Sequence, residues 1–407
     1  MDRPLKGIRV IALEQYMAGP YCSMLLADAG AEVIKVERPS IGDPRRSIPP
    51  FVENNGIKKA GGFMAYNRNK KSLALNIRND EGKKVYQDLV KNADVVVENL
   101  RPGSVDKLGL GYHDLKTLNP KLIYAAISGF GRLEGYEGPD SKRLAFDIVA
   151  EAMSGIMHLV GFDDKPPSWT IYGMADVYTG LCTSFAITQA LFMRERTEKG
   201  QFVDSAMLDN MISLNERMAM LYSITGEEPH RGRLTHLYPR GAFKCKDGYL
   251  AMNIPNDLVW GRFCKAIGHE NLIGDDRSKT GTARASNAEF LAPIIEKWLS
   301  QKTRSEAENI LNENGVPVGS VYTAKDVFES EQVKSRKALV DINDPDVGTY
   351  QFARGPVMLS DSPEIETNPA PDLGQHTMNV LSEILQYSDE KIDKLAKSGT
   401  IGINSKI

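Results

Sequence analysis

The 407-residue chain has 42% hydrophobic and 25% charged residues, a balance typical of folded globular domains and far from disordered or fibrous compositions. A single core rarely keeps growing at this length, so two lobes are expected. The formal net charge of -3 gives no global electrostatic reason to bind nucleic acid or an anionic membrane, which leaves small molecules or a second copy of the chain as partners. Cys22, Cys182, Cys245 and Cys264 lie far apart, no cleavable apolar segment opens the sequence, and no run reaches the roughly 18 apolar residues that span a bilayer. The expectation is a cytoplasmic protein with free thiols.

The first forty residues read as a βαβ unit: an apolar run from Gly7 to Leu13, a turn at Met17-Ala18-Gly19-Pro20, a helix from Tyr21 to Gly30, and the strand Glu32–Glu37. The unit repeats loosely. A helix over Asp80–Asn92 leads to a strand over Asp94–Glu98, and a helix over Leu115–Asn119 leads to a strand over Leu122–Ser128. Apolar strands alternating with amphipathic helices predict a parallel, twisted sheet covered on both faces, with ligands beyond the carboxyl ends of the strands. From Phe146 to Tyr222 the periodicity is helical, with long helices over Tyr178–Arg194 and Ser205–Tyr222. The character changes near Gly226. Asp247-Gly248 between two alternating runs predicts a hairpin with positive φ at both turn residues. Helices then follow over Leu258–Ile267, Phe290–Ser300 and Ser305–Asn314, strands and loops over Val340–Ser360, and helices over Met378–Tyr387 and Asp389–Ser398.

The Gly-rich dinucleotide fingerprint, the Walker-type phosphate loop, the Gly-x-Ser-x-Gly elbow, Cys-x-x-Cys and any metal-ligand spacing among the six histidines are all missing. Chemistry must rest on carboxylates, backbone amides or groups of a bound ligand. One candidate is Asp176, an acid at the apparent start of an apolar helix. As an N-cap it would satisfy the first-turn N–H groups. As a nucleophile it could attack a thioester carbonyl while nearby N–H groups hold the oxyanion. Residue chemistry alone favours the cap, and the two roles are compatible. A second candidate is the set of cations after the early strands: Lys35, Arg38, Lys70, Lys71, Arg78, Arg101 and Lys107. Each alone reads as solvated surface, yet together they sit where an open α/β sheet takes a nucleotide-bearing ligand. A third is the loop holding Arg231, Arg233, His236 and Arg240, which reads either as a polar hinge or as a seat for a substrate carboxylate.

A set of motifs in a fixed order covers essentially the whole chain. They are Pro4-Leu5-Lys6-Gly7-Ile8-Arg9-Val10, Ala18-Gly19-Pro20, the run from Leu26 to Glu37, Asn69-Lys70-Lys71-Ser72-Leu73, the run from Ala93 to Gly103, Ser128-Gly129-Phe130-Gly131, Phe146-Asp147-Ile148-Val149 with Ser154-Gly155, and Gly200-Gln201-Phe202-Val203-Asp204. In this the sequence resembles the class III CoA-transferases, the family of formyl-CoA transferase and the carnitine CoA-transferases. The resemblance implies an α/β fold with a Rossmann-like large lobe (residues 1–225 and 337–407), a smaller α+β lobe (residues 226–336) and an interlocked homodimer. It also implies transfer of CoA from an acyl-CoA, with succinyl-CoA or another short acyl-CoA as donor, to a free carboxylic acid through an aspartyl-CoA thioester on Asp176. CoA would be bound as substrate by Tyr16, Met17, Arg38, Leu75, Arg78, Asn99, Leu100, Arg101, Lys107 and Arg143, with Arg38 stacked on the adenine; no metal or other cofactor is implied. Met17 stands where formyl-CoA transferase has a glutamine, so that polar role is unfilled or met by another group, and a different acid is implied. Loops near Gly241 are expected to close over the site. Two alternatives are an α-methylacyl-CoA racemase-like enzyme, disfavoured because Phe146 replaces the histidine of its His-Asp pair and cannot remove an α-proton, and a non-catalytic CoA-binding protein.

Overall fold

A computed structural model describes residues 2–232 and 237–404. It contains fourteen strands: β1 (Arg9–Leu13), β2 (Glu32–Glu37), β3 (Phe51–Asn54), β4 (Ile57–Ala60), β5 (Lys70–Leu75), β6 (Val95–Glu98), β7 (Ile123–Ser128), β8 (Gln201–Ala206), β9 (Arg240–Cys245), β10 (Gly248–Asn253), β11 (Val318–Ser320), β12 (Leu339–Asp344), β13 (Gly348–Ala353) and β14 (Ile401–Gly402). The chain divides into two compact units, one of residues 1–158, 168–229 and 337–407 and the other of residues 159–167 and 230–336.

The first unit is built on a seven-stranded sheet in the order β14-β5-β2-β1-β6-β7-β8. All neighbours run parallel except β14 against β5. Side chains alternate across a strand, so the apolar runs of β1 and β6, and Val33, Ile34 and Val36 of β2, supply both faces. Ile11, Ile34, Leu73 and Val96 meet Val85, Tyr86 and Leu89 of the helix Asp80–Lys91 on one face. Val10, Val33, Val95 and Ile123 meet Cys22 and Leu26 of the helix Ala18–Asp28 and Ile187 and Leu191 of the helix Met174–Thr197 on the other. Each such fully buried Val, Ile or Leu contributes about 1.5–3 kcal/mol. The two helices on that second face touch closely at Gly180, where a Cβ would lie 2.6 Å from the Ala18 carbonyl oxygen. Connections run from β1 to β2 on one side and reach β6 on the other, so the strand order reverses between β1 and β6, the usual ligand crevice of such sheets.

The second unit has the antiparallel sheet β11-β10-β9. Its core joins Leu250 and Met252 to Trp260, Phe263, Leu291 and Leu311. Thr303 and Glu306 form a capping box that starts the helix Arg304–Glu313.

Three elements differ from the sequence expectation. Gln201–Ala206 is a strand within a stretch that reads as helical, and the long helix expected over Ser205–Tyr222 is two, Met207–Leu214 and Glu216–Thr225, with Asn215 between them donating its amide to the Ser154 carbonyl. The β9–β10 hairpin forms, but Cys245 pairs with Gly248, so its two-residue connection is Lys246-Asp247, one position earlier than the Asp-Gly signal implies. Gly241 lies inside β9 rather than in a loop. Arg233 and His236 fall outside the described residues.

Candidate active site

The helix Met174–Thr197 begins after Gly173, whose φ of 83° is the left-handed value that glycine accepts without strain. Asp176 is therefore the third helical residue and not its cap. The cap comes from a distant segment: Asp147 Oδ1 accepts the N–H of Ala175 at 2.6 Å and of Asp176 at 3.1 Å, and Oδ2 accepts that of Gly173 at 3.2 Å. This corrects the expectation that Asp176 caps the helix, and those three N–H groups are already engaged. The Asp176 carboxylate itself accepts no hydrogen bond from the described residues. Burial pushes its pKa up to about 7, the Asp147 carboxylate adds to the rise, and the Arg45 guanidinium opposes it.

The other wall of the site comes from the loop after β1. Tyr16 has a φ of 63°, a strained value for a tyrosine, and donates its N–H to Asp43 Oδ1 at 3.2 Å. Asn99 clamps the preceding residue, its Oδ1 accepting the Gln15 N–H at 2.8 Å and its Nδ2 donating to the Gln15 carbonyl at 2.7 Å. The Tyr16 ring meets Phe146 edge-on at 5.8 Å, next to the capping Asp147. Met17 reaches Gly173, where a Cβ would lie 2.2 Å from its terminal methyl. An apolar side chain thus sits against the start of the Asp176 helix.

Beneath this loop lies a buried ion network. Lys35, fully inaccessible, sits 2.9 Å from Asp43 and 3.6 Å from Glu14, while Lys70 binds Glu14 at 2.9 Å, the Pro20 carbonyl at 2.9 Å and Asn67 at 3.0 Å. Burial alone would depress Lys35, but the carboxylates of Asp43, Glu14 and Glu37 outweigh it and hold the ammonium above its usual range. Burial brings Lys70 down to about 8, against the pull of Glu14. The expectation that Lys35 and Lys70 face a ligand is thereby corrected, because both are structural cations under the loop. Lys71 lies at the surface with Glu32.

Of the ten expected CoA contacts, Arg38, Leu75, Arg78, Leu100, Arg101 and Lys107 line one cleft of about 600 Å³ at the carboxyl ends of β1, β2, β5 and β6. That volume suits a nucleotide-sized ligand. A wider depression of about 1050 Å³ adjoins it and shares Arg101 and Lys107. Tyr16, Met17 and Asn99 shape the loop between this cleft and Asp176, and both ends of the Asn99 amide are occupied by Gln15. Arg143 stands apart, over the Phe130 ring at 5.4 Å and beside Asp140. Arg45, Tyr66 and Asp43 enter the site without any signal in the sequence, and Asp147, which belongs to a quoted motif, takes a capping role across 26 to 29 residues that the motif does not indicate. Among the described residues no group of three or more His, Cys, Asp or Glu side chains could hold a metal ion, and no helix is long and apolar enough to cross a membrane.

The profile of CoA-transferase family III matches residues 5–377. Succinyl-CoA:glutarate CoA-transferase of Mus musculus is 37% identical over 402 residues, 98% of this chain and 90% of the relative. Succinyl-CoA:mesaconate CoA-transferase of Haloarcula marismortui is 37% identical over 385 residues, 93% of this chain and 96% of the relative. The crystal structure of a CAIB/BAIF family protein from Brucella suis superposes with a TM-score of 0.85 at 35% identity, covering 94% of this chain and all of that one. The chain belongs to CoA-transferase family III and is an enzyme that moves CoA between an acyl-CoA and a carboxylic acid.

Proposed function

We propose that Asp176 carries the CoA between donor and acceptor as an enzyme-bound thioester, with a short dicarboxylyl-CoA such as succinyl-CoA as donor. The observation that carries this reading is the helix start, where Asp147 takes the N–H groups that would otherwise bind and quieten the Asp176 carboxylate. A desolvated carboxylate with no hydrogen bonds is a stronger nucleophile than a solvated one. One Asp176 oxygen attacks the donor thioester carbonyl and expels the CoA thiolate, leaving a mixed anhydride. The thiolate attacks the aspartyl carbonyl and releases the donor acid as its carboxylate, leaving aspartyl-CoA. The acceptor carboxylate then attacks the aspartyl carbonyl, expels the thiolate and forms a second anhydride, and the thiolate takes the acceptor acyl group and frees Asp176. No proton or electron is consumed.

In this reading the nucleotide of CoA occupies the 600 Å³ cleft, where Arg38 stacks on the adenine, Arg78, Arg101 and Lys107 offer three cations to the phosphates, and Leu75 and Leu100 give the base an apolar wall. Tyr16, Met17 and Asn99 hold the loop along which the pantetheine arm would run, and Arg143 would close on its outer side. Names of relatives that contain succinyl-CoA support the donor class. An interlocked homodimer and a cytoplasmic location complete the proposal. The dimer is supported by exposed Phe185, Phe192 and Met193 on the Asp176 helix and exposed Val357, Met358 and Leu359 in the same unit.

The half-reaction tests the scheme. With no other acceptor added, labelled succinate should exchange into succinyl-CoA in the native protein and not in Asp176→Ala. Exchange that persists in the variant would remove Asp176 from the reaction.

A further inference from the structure

Arg45 and Arg46 are adjacent in sequence and opposite in their pairing. Arg46 has an ionic partner: its Nε and Nη2 grip Glu37 with bonds of 2.8 and 2.7 Å, Nη2 also donates to the Pro371 carbonyl, and the guanidinium lies 3.6 Å above the Phe63 ring. Arg68, another buried arginine, is likewise paired with Asp28 and the Ala353 carbonyl. Arg45 is only 6% exposed, yet it is anchored at one edge alone, by Nε to the Gly62 carbonyl at 2.6 Å and by its backbone N–H to Asp43 at 2.9 Å. Its two terminal nitrogens have no partner among the described residues. A Cβ at residue 62 would lie 3.1 Å from Nη2, so Gly62 leaves the guanidinium its room. The guanidinium lies 5.6 Å from the centre of the Tyr66 ring, and Tyr66 senses the charges of both Arg45 and Asp176. An arginine withdrawn from water, held by one edge and left open on its forked edge, is arranged for an anion that the protein does not itself supply.

We propose that Arg45 is the specificity-determining residue of the acid site: its open edge takes the non-reacting carboxylate of a dicarboxylic acid, or of its half-thioester, while the other end of that molecule meets Asp176. The inference rests on the reading of Asp176 as the group that meets the reacting carboxyl. It assigns recognition of the second carboxylate to the Pro44–Ser47 turn instead of to Arg231 and Arg240. Asp43 caps this turn and also holds Tyr16, so one carboxylate positions both the arginine and the loop beside Met17.

The test uses the full-length protein with saturating succinyl-CoA and compares kcat/KM for two isosteric acceptors, glutarate and its monoamide, which differ only in the second charge. In double-displacement kinetics this quantity isolates the acceptor half-reaction. The native protein should prefer glutarate strongly. In Arg45→Met the preference ratio should fall by about 30-fold or more, and in Arg45→Lys, which keeps the charge without the fork, by an intermediate amount. A ratio unchanged in Arg45→Met, with both acceptors slowed together, would show a purely structural or electrostatic role and overturn the proposal. Should Arg45→Met fail to fold, an unchanged ratio in Arg45→Lys or equal use of the two acceptors by the native protein overturns it as well. The ratio is read from turnover whichever residue carries the CoA, so failure at Arg45 and failure at Asp176 are distinguishable.

Discussion

The loop after β1 and the start of the Asp176 helix bury charge in opposite ways. Under the loop, Lys35, Lys70, Glu14 and Asp43 neutralise one another through bonds of about 3 Å, and the result is rigidity: Tyr16 is held in a conformation that it would not choose. At the helix start the half-buried Asp176 carboxylate, and in the Pro44–Ser47 turn the buried Arg45 guanidinium, each lack a direct ionic partner among the described residues. Buried charges that are paired serve as scaffold, whereas buried charges left under-paired are available to a substrate. The enzyme sets the second kind on top of the first.

Substitutions at either kind of charge separate the two roles. The largest expected effect is on the reactive side: Asp176→Ala should slow transfer on the order of 10⁴-fold or more, measured as steady-state turnover. On the scaffold side, Lys35→Met leaves Glu14 and Asp43 buried with less compensation, and urea unfolding should show a loss of about 3–5 kcal/mol. The reactive side should show the reverse in stability. The folded pKa of Asp176 is raised above its unfolded value, so its favourable contribution is complete below about pH 4 and is lost as pH rises through about 7. Asp176→Asn should therefore gain stability at pH 8, on the order of 1–2 kcal/mol after solvent screening, and little at pH 4. Turnover should follow the opposite course: kcat/KM for the donor rises with pH through about 7, because attack needs the ionised carboxylate. The smallest effect is that of Asp147→Asn, which keeps an acceptor for the helix N–H groups and removes a negative charge. Stability should change by less than about 1 kcal/mol, and the acid limb of the activity profile should move to lower pH.

Strongly patterned strands are legible in the sequence. β2 falls on Glu32–Glu37, as its Val-Ile and Val positions indicate, and β7 is read within one residue. β8 is not legible, because Gln-Phe-Val-Asp-Ser-Ala has only two strongly apolar members and owes its extended form to pairing with β7 at the sheet edge. The cleft is partly legible, since six cationic or apolar positions after successive strands do converge there. Asp176 stands out only as an acid near a helix start. What distinguishes it physically, the capping by Asp147 from 29 residues earlier and the field of Arg45, depends on contacts between distant segments that no local period encodes. Lys35 and Lys70 mislead for the same reason, because nothing in a strand sequence tells a buried, paired lysine from a ligand-facing one.

Aspartyl-CoA is a covalent adduct, so a mass measurement detects it. The native protein, mixed with succinyl-CoA and quenched with hydroxylamine or borohydride, should yield one modified peptide, with the change on Asp176 and nowhere else. Modification of a different residue, or none under conditions in which the protein turns over, would contradict the account.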